Sequence, residues 1–149
     1  MNVTFVAIII AATIFLCGHN PASAQTAPPI PNPILSLTNV EQFSLNGKAL
    51  VRYRYGVSNS SSYPDAMFAP APALQPCGKN TNASRTWVDL YAQDGKRLYG
   101  FCAFSKSSDL GSVWFTLEEG VVPPSWIYIE LKDRETGAKY KSNLAETTN

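Results

Sequence analysis

The sequence predicts an all-β protein: an antiparallel β-sandwich of about seven short strands, closed by one disulfide. Three observations carry that prediction. Apolar and aromatic side chains recur with a period of two in residues 50–57, 86–92, 113–117 and 126–131, the period that lays one face of a strand on a core. Turn signals separate these runs at Asn46-Gly47, Asp94-Gly95, Glu119-Gly120 and the DRETG segment 133–137, where Gly and Asn supply the positive φ of tight turns. No segment carries the sustained apolar period of an amphipathic helix. Short strands with regular turns and no helices are the pattern of a sandwich.

The first element is a leader. Residues 3–17 (VTFVAIIIAATIFLC) are apolar throughout, Gly18, Asn20 and Pro21 break the run, and Ala22-Ser23-Ala24 follows. An apolar core ahead of a small-x-small tripeptide reads as a signal peptide, although its front lacks Lys and Arg. Residues 1–24 are therefore expected to be removed by a cut between Ala24 and Gln25, leaving a secreted or periplasmic protein. A run of this length falls short of the roughly 20 residues a spanning helix needs, and no later run matches it, so no membrane span is expected in the mature chain. Leu16 stands before Cys17 where lipoprotein signals carry a small residue, which argues against lipidation.

Export changes how composition is read. Cleavage leaves about 125 residues, enough for one domain with a real core. It removes Cys17 and His19, the only histidine, and keeps Cys77 and Cys102. In an oxidising compartment two cysteines pair by default, a free or intermolecular thiol being the alternative. Closing that loop is worth on the order of 3–4 kcal/mol in the chain-entropy picture. Twelve basic and eleven acidic side chains nearly cancel with no run of one sign, so neither nucleic acid nor an anionic membrane is an expected partner.

Residues 25–33 (QTAPPIPNP) are proline-rich and uncharged, an extended spacer ahead of a domain expected over residues 34–144, with a polar tail at 145–149. In residues 50–57, Val51, Tyr53, Tyr55 and Val57 alternate with Arg52 and Arg54. A tight hairpin at Asn46-Gly47 would set Phe43 opposite Leu50 and so on the arginine face. That mismatch predicts a turn without a tight hairpin, its two strands in different sheets. Residues 58–85 hold four prolines (Pro64, Pro70, Pro72, Pro76) and little periodicity. They read either as a binding loop or as an ordered crossover, with Met67, Phe68 and Leu74 available to tuck onto the core.

Residues 86–102 form the central hairpin. A two-residue type I′ turn at Asp94-Gly95 sets Leu90 opposite Tyr99 and Val88 opposite Phe101 on one face, with Trp87 opposite Cys102 and Tyr91 opposite Leu98 on the other. Both faces are largely apolar, which places the hairpin mid-sheet. Val88, Leu90 and Phe101 are read as the core face with Trp87 against the disulfide, and the reverse assignment fits nearly as well. Val113, Phe115 and Leu117 mark the next strand, Ile127, Ile129 and Leu131 the one after it. Residues 138–142 return from the DRETG loop.

Three segments, the VRYRYGVSN strand ending in Asn59, the Trp87 strand and the 127–131 strand with its return hairpin, resemble the immunoglobulin-like and fibronectin-III-like modules over residues 34–144. The resemblance implies an immunoglobulin-like sandwich and nothing about activity. It departs from the antibody pattern at Cys77, which lies in a loop-like stretch although Trp87 does fall between the two cysteines.

Catalysis has little to draw on once His19 is gone: no Ser-His or Cys-His pair, no His ligand for a metal, and no thiolate if the cysteines pair. Asp89, Asp109, Glu118 and Glu130 fall where turns or solvent faces place charges anyway. The expected function is a non-catalytic binding module without cofactor or metal. A structural or accessory subunit of an envelope or extracellular assembly is the alternative. Trp114, Trp126 and Tyr128 lie opposite the aliphatic positions of their strands. They form an aromatic patch for a protein or carbohydrate partner if exposed and adjacent, and an ordinary covered surface if a loop lies over them. Asn59 and Asn82 begin Asn-x-Ser sequons, which matter only in a eukaryotic secretory pathway.

Overall fold

A computed structural model describes residues 29–148. The expected leader, its cleavage site, Cys17 and His19 lie outside the described residues.

Strands β1 (Leu35–Leu45), β2 (Lys48–Val57) and β5 (Val113–Glu118) make a three-stranded sheet in the order β1-β2-β5. Strands β3 (Thr86–Ala92), β4 (Arg97–Phe101), β6 (Trp126–Asp133) and β7 (Lys139–Lys141) make the second sheet in the order β4-β3-β6-β7, with β8 (Ala145–Glu146) also on β6. Every pairing is antiparallel. The alternation read in the sequence decides which face is buried. Tyr53, Tyr55, Val113 and Phe115 of the first sheet and Val88, Leu90, Ile127, Ile129 and Leu131 of the second form one core. Phe115 stacks on Tyr53 with ring centroids 5.0 Å apart. Burying aliphatic and aromatic side chains of this size is worth roughly 1.5–3 kcal/mol each, so the shared core is what binds the sheets. Short 3-10 turns at Ser60–Ser62, Asp65–Phe68 and Ser107–Ser112 are the helical elements described.

Two turns depart from the sequence expectation. Asn46-Gly47 closes a tight hairpin after all, with Leu45 paired to Lys48 and Phe43 to Leu50. Positive φ at Asn46 (52°) and Gly47 (76°) makes it a type I′ turn. Phe43 does share the arginine face. It is welcome there because the Arg52 guanidinium lies over its ring at 4.4 Å, and a bulge between Leu37 and Asn39 restores the apolar phase for Leu35. At Asp94-Gly95, only the glycine has positive φ (87°). Ala92 accepts from the Gly95 N–H and donates its own N–H to the Lys96 carbonyl, a longer loop with a bulge, so Tyr91 pairs with Arg97 rather than Leu98. Val88 and Leu90 are core, as expected, Phe101 packs half-buried against that core, and β3 lies mid-sheet while β4 is the sheet's edge.

The long segment 58–85 is an ordered crossover. Tyr63, Met67 and Phe68 are buried in the core, and Leu74 is half-buried. Residues 69–71 run against 83–85, with the Ala71 N–H on the Ala83 carbonyl (3.0 Å) and the Arg85 N–H on the Ala69 carbonyl (2.9 Å). The Cys77–Cys102 disulfide forms as expected. Arg134 finishes the attachment. Its Nη1 donates to the Gln75 carbonyl (2.5 Å), its Nε to Ser84 O (3.1 Å) and its Nη2 to Ala83 O (3.3 Å) and Ser84 O (2.7 Å). The same guanidinium lies 4.5 Å over the Trp87 ring, which is thus packed under an arginine.

Both ends of the domain reach beyond residues 34–144. Pro33 is buried and Ile30 packs against the core. The Tyr63 hydroxyl donates to the Pro31 carbonyl (2.8 Å), and the Asn59 amide donates to Asn32 O (2.9 Å) while accepting from the Ile34 N–H (2.9 Å). The last residues of the proline-rich segment therefore belong to the domain. In the expected tail, β8 pairs with Trp126 and Ile127, and Thr147 is buried. Asn143 joins the sheets on this side: its Oδ1 accepts from the Leu35 N–H (2.7 Å) and its Nδ2 donates to the Leu35 carbonyl (3.0 Å), mimicking a paired strand.

Candidate functional site

The sandwich divides the aromatic residues singled out in the sequence between its two outer faces. Trp114 lies on β5, with buried Val113 and Phe115 on either side of it, and so points away from the core of the first sheet. Trp126 and Tyr128 lie on β6 and point outward from the second. The structure brings Trp126 and Tyr128 onto one face and leaves Trp114 on the other.

On the outer face of the first sheet, Trp114 belongs to a continuous row. Arg52 sits between two rings, its guanidinium 4.4 Å from the centroid of Phe43 and 4.9 Å from that of Trp114. The pairing register explains why. Arg52 stands opposite Glu41 on β1 and Thr116 on β5, so Phe43 and Trp114 are its diagonal neighbours, two positions on, within reach of long side chains. Trp114 then stacks with Tyr99 (4.7 Å) and meets Phe101 edge-on (5.7 Å), and Phe101 stacks on Phe104 (5.0 Å). Tyr99 shares a face with core residue Leu90, so it reaches Trp114 because edge strand β4 overhangs β5. Tyr99 is 40% exposed.

The charges on this face are unevenly shared. Glu41 Oε1 accepts from Arg52 Nη1 (2.9 Å), Arg54 Nε (3.2 Å) and Arg54 Nη2 (2.9 Å). Those hydrogen bonds, from Arg54 first, hold the Glu41 carboxyl below its ordinary range. Arg54 also donates from Nη1 to the Ser112 hydroxyl (3.2 Å). Arg52 Nε is buried with no acceptor among the described residues. Lys48 and Glu118 pair at 3.0 Å at the far end.

The outer face of the second sheet is a mosaic of pairs. Tyr91 and Tyr128 stack at 5.2 Å, and Lys141 Nζ lies 4.0 Å over Tyr128. Arg97 bonds Asp89 at 2.6 Å and Lys139 bonds Glu130 at 2.9 Å. Gly100 makes room for the first of these, since a Cβ there would run into the Arg97 guanidinium. Trp126, at the start of β6, is 36% exposed. Asp89 and Glu130 are thus each engaged by a cation. Among the described residues, no three His, Cys, Asp or Glu side chains gather to hold a metal, and no helix is long and apolar enough to cross a membrane.

Sequence reasoning missed Phe43, Arg52, Tyr99, Phe101 and Phe104 as one surface. The signal was present in Phe43, whose place beside the arginines counted against pairing when it marked a stack. Compared with protein-family models, curated proteins and solved structures, the chain finds no match.

Proposed function

We propose that this chain is an exported, non-catalytic interaction module that binds a protein partner through the outer face of its three-stranded sheet. One observation carries the reading: the row Phe43–Arg52–Trp114–Tyr99–Phe101–Phe104 runs across that face and over the sandwich edge. Arginine, tryptophan and tyrosine are the side chains that dominate protein interfaces when held rigid and partly desolvated. The strand partition, β1-β2-β5 against β4-β3-β6-β7, supports kinship in fold with the fibronectin-III-like modules.

Ring geometry weighs against a carbohydrate. Stacking on a sugar requires an open aromatic face. Trp114 is engaged by Tyr99 of β4 at 4.7 Å and by Arg52 of β2 at 4.9 Å, which leaves less of its ring open to a sugar. Tyr128 is likewise engaged by Tyr91 and Lys141. Trp126 alone of the three offers an exposed ring.

The test is a photo-crosslinking amino acid placed at Tyr99, and separately at Leu144 on the β8 side, in the cells that make the protein. The reading expects a discrete heavier adduct from position 99 only. Adducts from neither position, or equally from both, would refute it.

A further inference from the structure

We propose that the partner of this face is a protein segment bearing a carboxylate, which docks against the Arg52–Arg54 pair; this deepens the interaction reading and rests on it. Charge complementarity commits the face to that occupant. Two guanidiniums share the single carboxylate of Glu41, and among the described residues the other charged pair on these paired strands, Lys48 with Glu118, balances itself. The centre of the aromatic row therefore keeps one positive charge uncompensated.

That charge is held in place before any partner arrives. Phe43 and Trp114 clamp the Arg52 guanidinium from both sides, and Glu41 and Ser112 fix Arg54. Preorganised cations of this kind lose little freedom on binding. The planar fork of arginine suits a carboxylate, which can take two parallel N–H donors. The flanking rings of Tyr99, Phe101 and Phe104 would border that contact and keep water from it, as the apolar surround of an interface hot spot does. An anionic membrane asks for many clustered cations, and a single uncompensated charge does not supply them. An acidic polysaccharide stacks on open rings, and those of Trp114 and Tyr128 are already engaged by protein neighbours.

The deciding experiment titrates the purified exported chain with a capped tetraglutamate peptide, following the Trp114 indole N–H and Arg54 Nε–H signals by NMR. Capped tetralysine and a short oligogalacturonate are run alongside. The proposal expects saturable movement of both signals by tetraglutamate alone, weakened at least threefold in Arg54→Gln. Glu41→Gln removes the internal competitor and is expected to tighten the peptide by about threefold, the scale of an exposed ion pair. A simply structural role for the stack predicts no titration in any variant. No movement with tetraglutamate, or movement unchanged by both substitutions, would overturn the proposal. An equal response to oligogalacturonate would overturn the commitment to protein. Crosslinking from Tyr99 that survives any of these failures leaves the interaction reading standing without its carboxylate, so the two fail separately.

Discussion

At the residue scale, two neighbours on β6 and its turn carry unlike duties. Arg134 spreads one planar group over the carbonyls of Gln75, Ala83 and Ser84, and charge-assisted bonds of this kind are worth about 1.5–3 kcal/mol apiece before overlap. Arg134→Ala is therefore expected to lower stability by about 2–4 kcal/mol in urea unfolding. Arg134→Lys should recover little, because an ammonium lacks the fork that reaches several carbonyls in one plane. Asp133, 3% exposed, is bonded by Arg85 at 2.6 Å. The Arg85 hydrogen bond, against the opposing effect of burial, holds its carboxyl far below the ordinary range. A carboxyl depressed in the folded state stabilises above its unfolded value, about 3.9, and that contribution is lost as pH falls toward the folded value. Unfolding free energy should accordingly decline from about pH 5 downward, and Asp133→Asn should flatten that acid limb while lowering stability at neutral pH. A limb as steep in the variant as in the parent would assign acid sensitivity elsewhere.

At the element scale, the β1–β2 hairpin shows what periodicity can and cannot convey. Its strands, its Asn46-Gly47 turn and the buried phase of Tyr53 and Tyr55 were legible, because alternation and turn chemistry are local. The pairing was not, because it depends on a bulge at Leu37/Asn39 and on a ring stacked under a guanidinium two positions away across strands. Tyr99 reaching Trp114 is also a meeting of two sheets, and no local pattern encodes it. The turn itself gives a clean test. A Cβ on Gly47 would meet nothing within 4 Å, so the cost of Gly47→Ala comes from its left-handed backbone, roughly 1–2 kcal/mol. A neutral substitution would mean that the hairpin closes another way. The Cys77–Cys102 link, with a sequence separation of 25, should contribute about 3.5 kcal/mol, read as the loss on replacing both cysteines by serine.

At the scale of the whole molecule, the two sheets are joined by one core and by clasps at both ends of the described residues. The segment before β1 is held by Asn59 and Tyr63, and Thr147 is tucked under the Pro124 carbonyl, to which its hydroxyl donates (2.5 Å). Composition pointed to a spacer and a tail there because proline-rich and polar stretches carry no period; their partners lie far along the chain. Removing residues up to Pro33 should therefore destabilise the domain, read as a lowered midpoint of urea unfolding. Burial pushes the Tyr55 and Tyr63 hydroxyls up to about 12. A group raised in the folded state stabilises fully below its unfolded value, near 10 for tyrosine, and loses that contribution as pH climbs toward the folded value. Alkaline unfolding should thus set in between about pH 10 and pH 12, and Tyr63→Phe should soften it.

Arg52, a cation clamped between Phe43 and Trp114, is the centre of the proposed face, and the most direct measurement is the NMR signal of its Nε–H at neutral pH. The clamp predicts a signal displaced by the ring currents of both aromatics, slow to exchange with water, and moved back toward the free-arginine position in both Phe43→Leu and Trp114→Leu. A sharp signal at the free-arginine position, exchanging rapidly and indifferent to either substitution, would contradict the clamp and with it the binding face built around it.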